Sequence, residues 1–96
     1  MPPVVIAGSM KVTRETSLAF AKVVRKHRQA KGISLARLAE LTSTDQTYPG
    51  KLERGILCPS LDIASAFAKA LGVPLSRLLA EAEKLQEQPS DLKRAK

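Results

Sequence analysis

The sequence has no tryptophan, one tyrosine and two phenylalanines, so aromatics make up only 3% of the chain. Its interior has to be filled by Leu, Ile, Val and Ala. There is one cysteine, Cys58, and one histidine, His27. A single thiol excludes a disulfide framework within the chain and fits a reducing compartment. One Cys and one His make neither a metal-ligand set nor a thiol–base site, so Cys58 reads as a small, half-buried packing residue. No apolar run approaches the roughly 20 residues of a membrane span. "PPVVIAG" from Pro2 to Gly8 has no basic residue ahead of it and lacks the layout of a secretory leader. No carboxylate pair, nucleophile–base pair or glycine-rich phosphate loop stands out, which argues against an enzyme and against a bound cofactor.

Positive charge is plentiful. The 96 residues carry 16 Lys and Arg against 9 Asp and Glu, a net charge of +7. Up to Arg54 there are 10 basic and 4 acidic residues, a balance of +6, whereas Gly55 onward has 6 and 5, a balance of +1. A basic half joined to a near-neutral half suggests a polyanion-binding face and a separate packing or dimer face. The length suits one small domain with a modest core, which dimerisation would help to stabilise.

The periodicity is helical almost throughout. Residues 1–16 lack it, and the run Val4–Val5–Ile6 behind two prolines predicts an extended or disordered arm. Phe20, Val23, Val24 and His27 fall at i, i+3, i+4 and i+7, so a first helix is expected over Ser17–Lys31, closed by Gly32. His27 lies on its apolar stripe and reads as structural. Ser34 can cap a second helix to about Leu41, with Leu35, Leu38 and Ala39 inward. "TSTD" at Thr42–Asp45 reads as a turn, and a third helix would stop at Gly55. Ser60 can cap a fourth helix carrying Leu61, Ala64, Phe67, Ala68 and Leu71, with Gly72 as its stop. A fifth, about 75–88, carries Leu75, Leu78, Leu79, Ala82 and Leu85 and ends before Pro89. Residues 89–96 form a charged tail. The expectation is an all-α, compact five-helix domain at 17–88 behind an N-terminal arm.

Specific stretches go further. "LERG" at Leu52–Gly55, "PSL" at Pro59–Leu61 and "AKALGVPLSRLL" at Ala68–Leu79 stand in a fixed order and spacing, with "KGIS" at Lys31–Ser34 upstream. With them the chain resembles the lambda-repressor-like, Xre/Cro-type helix-turn-helix family over about Ser17–Leu79. The resemblance implies a transcription regulator, a repressor, that binds duplex DNA as a homodimer. Its third helix would lie in the major groove, on half-sites about 34 Å apart in the simplest case. It places Gln46, Thr47 and Lys51 at base edges, and Ser34, Arg37, Tyr48 and Arg54 near phosphates. Arg28 and Glu53 match a buried pair tying the first helix to the end of the third. Leu78, Ala82 and Leu85 on the fifth helix are expected to carry the larger share of the dimer contact, with the N-terminal arm as the other candidate. A cytoplasmic, nucleoid-associated protein of a bacterium or phage is implied, with no membrane partner.

The chain also departs from that pattern. Leu35 stands where a phosphate-binding glutamine is common, Ser43 replaces a turn glycine, and Thr42 and Thr44 replace apolar residues under the turn. Pro49 and Gly50 fall inside the recognition helix, expected at about 45–54. Two arrangements accommodate them. In one, Asp45 caps the helix and Pro49 is its fourth residue, losing only the first bond of the ladder. In the other the helix starts later, with Thr47 or Tyr48 as cap, and Gln46 and Thr47 lie in the loop ahead of it. These departures keep a second class of function open: an antitoxin or other protein-interaction module on the same scaffold, with a toxin or other protein as partner.

Overall fold

The computed structural model describes residues 13–87, and all of its regular structure is helical. The helices are α1 (Glu15–Lys31), α2 (Leu35–Thr42), α3 (Tyr48–Glu53), α4 (Leu61–Leu71) and α5 (Leu75–Glu87). Most of the expected N-terminal arm and the tail at 89–96 lie outside the described residues. α1 begins two residues earlier than expected, because Arg14 and Glu15 continue the turn. Leu18 donates its N–H to the Arg14 carbonyl at 2.9 Å, and Glu15 places a carboxylate in the first turn, where the helix dipole favours it.

The helix ends follow from a few short-range hydrogen bonds. The Ser34 hydroxyl accepts the Arg37 N–H at 3.0 Å, and the Ser60 hydroxyl accepts the Ile63 N–H at 3.1 Å. At the other ends, α1 to α4 all close in one way. A left-handed residue, the first after the helix in α1, α2 and α4 and the second in α3, donates its N–H, together with the next one, to carbonyls of the last turn. Gly32, Gly55 and Gly72 take this conformation at φ 69°, 78° and 72°, and Ser43 takes it at φ 56°.

The core is aliphatic, as the scarcity of aromatics requires. Val24 of α1, Leu38 of α2, Leu52 of α3, Phe67 and Leu71 of α4 and Leu78 of α5 are buried together. α1 lies along α5 and also touches α3 and α4, while α2 packs on α3 and α4. Leu78 and Ala82, the expected dimer contacts, are both completely covered by the chain's own helices. They belong to the core and present no surface to a second chain. Leu85 is only half-buried, at the outer edge of the α1–α5 seam. Among the described residues no single helix is long and apolar enough to cross a membrane.

Candidate nucleic-acid interface

The site is α2, the turn after it, and α3. α3 has six residues and starts at Tyr48 with Thr47 as its cap. This is the later of the two arrangements, and Pro49 is the cause. In an α-helix capped by Asp45, the N–H of residue 49 would bond the Asp45 carbonyl, but proline has none. The Tyr48 N–H takes that carbonyl instead, at 2.9 Å and three residues' separation, so the lead-in turn is tightened. α-helical spacing resumes with Lys51 N–H to the Thr47 carbonyl at 3.2 Å. Asp45 nonetheless keeps a capping part through its side chain. Its Oδ2 accepts the Thr47 N–H at 2.9 Å, and the Thr47 hydroxyl also donates to it in a short contact. These two bonds, side chain first, and the charge of Lys51 hold the Asp45 carboxyl below its ordinary value of 3.8 against a small desolvation effect.

Pro49, Gly50 and Leu52 point inward and are buried. A Cβ on Gly50 would lie 3.8 Å from Leu35 Cδ1 and 3.4 Å from Arg54 Nη1. α3 therefore runs close to the start of α2, with the Arg54 guanidinium folded across it. Gln46, Thr47, Lys51 and Arg54 remain exposed. Tyr48 lies half-buried, its ring tilted at 47° to that of Phe67 with centroids 5.9 Å apart. Burial, with a smaller contribution from Cys58, pushes its hydroxyl above 10.0.

On α2, Ser34 and Arg37 are exposed. The Ser34 hydroxyl is engaged in capping, and Arg37 pairs with Glu40 at 2.9 Å on open surface, a contact of little energetic weight. Leu35 is 37% exposed at the first position of α2.

Arg28 and Glu53 meet as expected. The guanidinium grips both carboxylate oxygens, Nε–Oε2 at 2.6 Å and Nη2–Oε1 at 3.0 Å, and Nη1 donates to the Ile33 carbonyl at 2.9 Å. Glu53 is the more deeply buried of the two. This bidentate pair fixes the end of α3 against α1 and against the loop that leads into α2.

Two features were not anticipated from the sequence. Arg14 reaches across to donate to the Gly55 carbonyl, and its Nε lies 3.2 Å from Cys58 Sγ. Cys58 is exposed rather than half-buried. Hydrogen bonds from Ser17 and then Arg14 draw its thiol below the ordinary 9.0. Second, His27 is half-buried as expected but faces Glu81 of α5, at 3.0 Å. Contacts between residues more than 40 positions apart leave no local mark in a sequence.

Comparison with known proteins identifies the family. A helix-turn-helix family model matches residues 24–78, which include all of α2, α3 and α4. An uncharacterized HTH-type transcriptional regulator of Mycobacterium tuberculosis is 38% identical over 50 residues, 52% of this chain. That match spans 36% of the curated relative's own length. The structure of the clp gene regulator ClgR from Corynebacterium glutamicum superposes with a TM-score of 0.73 at 31% identity, covering 83% of this chain and 88% of that one. The restriction-modification controller protein C.AhdI from Aeromonas hydrophila gives a TM-score of 0.61 at 36% identity, covering 64% and 92%. The chain belongs to the lambda-repressor-like, Xre-type helix-turn-helix family of DNA-binding transcription regulators.

Proposed function

We propose that the protein is a sequence-specific repressor that binds duplex DNA as a homodimer, with α3 in the major groove. The carrying observation is the division of the α3 region. Pro49, Gly50 and Leu52 are buried, while Gln46, Thr47, Lys51 and Arg54 stand exposed. In this reading Gln46 bonds an adenine edge, Lys51 meets the O6 and N7 of guanine, and Thr47 lies beside them. Ser34 and the start of α2 approach one phosphate, Arg37 and Arg54 others, and the Tyr48 hydroxyl reaches the backbone from the edge of the core.

Binding to duplexes selected from a random pool, followed by fluorescence across a salt series, tests this. Affinity should fall linearly on a log–log plot as bound phosphates release counterions. No binding to any duplex at low salt would refute it. One observation favours the second reading, a protein-interaction module or antitoxin: Leu35 puts an apolar side chain at the exposed start of α2. Stoichiometric co-purification of a small protein with a chain that ignores DNA would support that alternative.

The dimer contact is built from apolar side chains that this protomer leaves open. Leu85 supplies the α5 share, and Ile56 and Leu61, 56% and 75% exposed, supply the share from the segment between α3 and α4. Leu61→Glu combined with Leu85→Glu should convert the sedimenting species to monomers. Unchanged dimers in that double variant would place the contact elsewhere.

A further inference from the structure

We infer that Asp45 is a positioning residue that holds Gln46 in its reading pose by clamping Thr47, and that it works against indiscriminate DNA binding at the same time. Both halves rest on the proposed DNA reading. Pro49 has removed the backbone bond that would have set residues 46 and 47 on an α-helix. A single carboxylate oxygen takes over, accepting the Thr47 N–H at 2.9 Å together with the Thr47 hydroxyl. Gln46 is the residue spanned by this clamp. It is exposed, and among the described residues no side-chain partner engages its amide. An amide presented from a fixed turn keeps its donor and acceptor aligned for an adenine edge, without first losing the freedom of a mobile loop.

The clamp also changes what Thr47 can offer. Its hydroxyl proton is committed to Asp45, which leaves the methyl group and the oxygen lone pairs for DNA. A methyl contact with thymine suits that remainder. Meanwhile Asp45 brings a negative charge beside the exposed, positive Lys51 and Arg54. A carboxylate there repels phosphates at every sequence. Its hydrogen bonds are useful only when Gln46 meets the right base. Asp45 thus lowers general affinity and raises discrimination, two effects that separate on substitution.

Asp45→Asn retains an acceptor oxygen and removes the charge, whereas Asp45→Ala removes both. Both variants and the parent chain are titrated with the duplex the parent selects, with that duplex altered at the base pair assigned to Gln46, and with a scrambled duplex. Both variants should bind the scrambled duplex several-fold more tightly than the parent. Asn should keep the parent's preference at the Gln46 base pair, and Ala should lose about tenfold of it. Parent-like discrimination in Asp45→Ala overturns the positioning role, and parent-like affinity for scrambled DNA in both variants overturns the charge role. Amide exchange of Thr47 in the free protein, read by NMR, separates the clamp from DNA binding itself. It should quicken at least tenfold in Asp45→Ala and little in Asp45→Asn. If the parent bound no duplex, the function would fail while this exchange still reported the clamp. Unchanged exchange in Asp45→Ala would overturn the clamp whatever the DNA result.

Discussion

Ser43 is the one non-glycine residue with a positive φ among the described residues, at φ 56° and ψ 38°. For an L-residue this conformation costs about 1–2 kcal/mol, because Cβ crowds the following carbonyl. Glycine escapes that cost but loses more freedom on folding, about 0.5–1 kcal/mol. Ser43→Gly is therefore expected to stabilise the protein by about 0.5–1 kcal/mol, seen as a higher urea midpoint at unchanged slope. A lower midpoint would mean that the serine is held by something other than the turn. This position was legible in the sequence, because the motif's register places a glycine there. Its neighbours were not. Thr42 and Thr44 read as polar intrusions beneath the turn, yet the Thr42 hydroxyl donates to the Leu38 carbonyl at 2.8 Å, and Thr44 completes the pair at 2.9 Å. Local back-bonding satisfies a buried threonine without any signal in the hydrophobic pattern. No buried side-chain polar atom among the described residues is left unpaired.

At the scale of the helix, boundaries were legible wherever a side chain writes them. Ser34, Ser60, Gly32 and Gly72 mark their ends in sequence and in structure alike. α3 was readable only as a choice of two starts, because a proline in the fourth position is compatible with either. The balance turns on where the Asp45 carbonyl finds a donor, and sequence alone does not reveal that. What secures so short a helix is tertiary. Six residues are too few for a helix to persist alone, and Arg28 anchors its last residue, Glu53. Removing either partner strands a largely buried charge, so Arg28→Ala and Glu53→Ala should each cost about 3–5 kcal/mol. The double variant should cost less than the two single changes together, by about 1 kcal/mol or more, because the second loss removes the stranded charge. Arg28→Ala should be the worse single change, since it also deprives the Ile33 carbonyl of its donor. Strict additivity in urea unfolding would show that the pair is not coupled.

At the scale of the molecule, the reach of periodicity ends at the question of what covers an apolar face. Leu78, Ala82 and Leu85 recur at helical spacing whether α1 or a second chain lies against them. The fold buries the first two in its own core and leaves only Leu85 at the edge. The α1–α5 seam also carries polar ties. Glu81 receives His27 Nε2 at 3.0 Å and Lys26 Nζ at 3.5 Å on one oxygen, and Arg77 Nε at 3.3 Å on the other. Partial burial disfavours its charge. The hydrogen bond with His27 and the charges of His27 and Lys26 together outweigh that effect and hold the carboxyl below its ordinary 4.5. A carboxyl with a depressed value in the folded chain binds fewer protons there than in the unfolded chain, so folding favours its ionised form. The contribution is complete above pH 4.5 and disappears as the pH falls through the folded value. Glu81→Gln removes the titration while keeping most of the side chain's shape. The variant should therefore be less stable than the parent near neutrality and draw level with it in acid. Asp45, whose carboxyl is also depressed, contributes equally to both chains and drops out of the comparison. Urea unfolding at successive pH values provides the two curves. If they ran parallel from neutral pH into the acid limb, Glu81 would hold α5 to α1 by packing alone, and its charge would carry none of the seam's pH dependence.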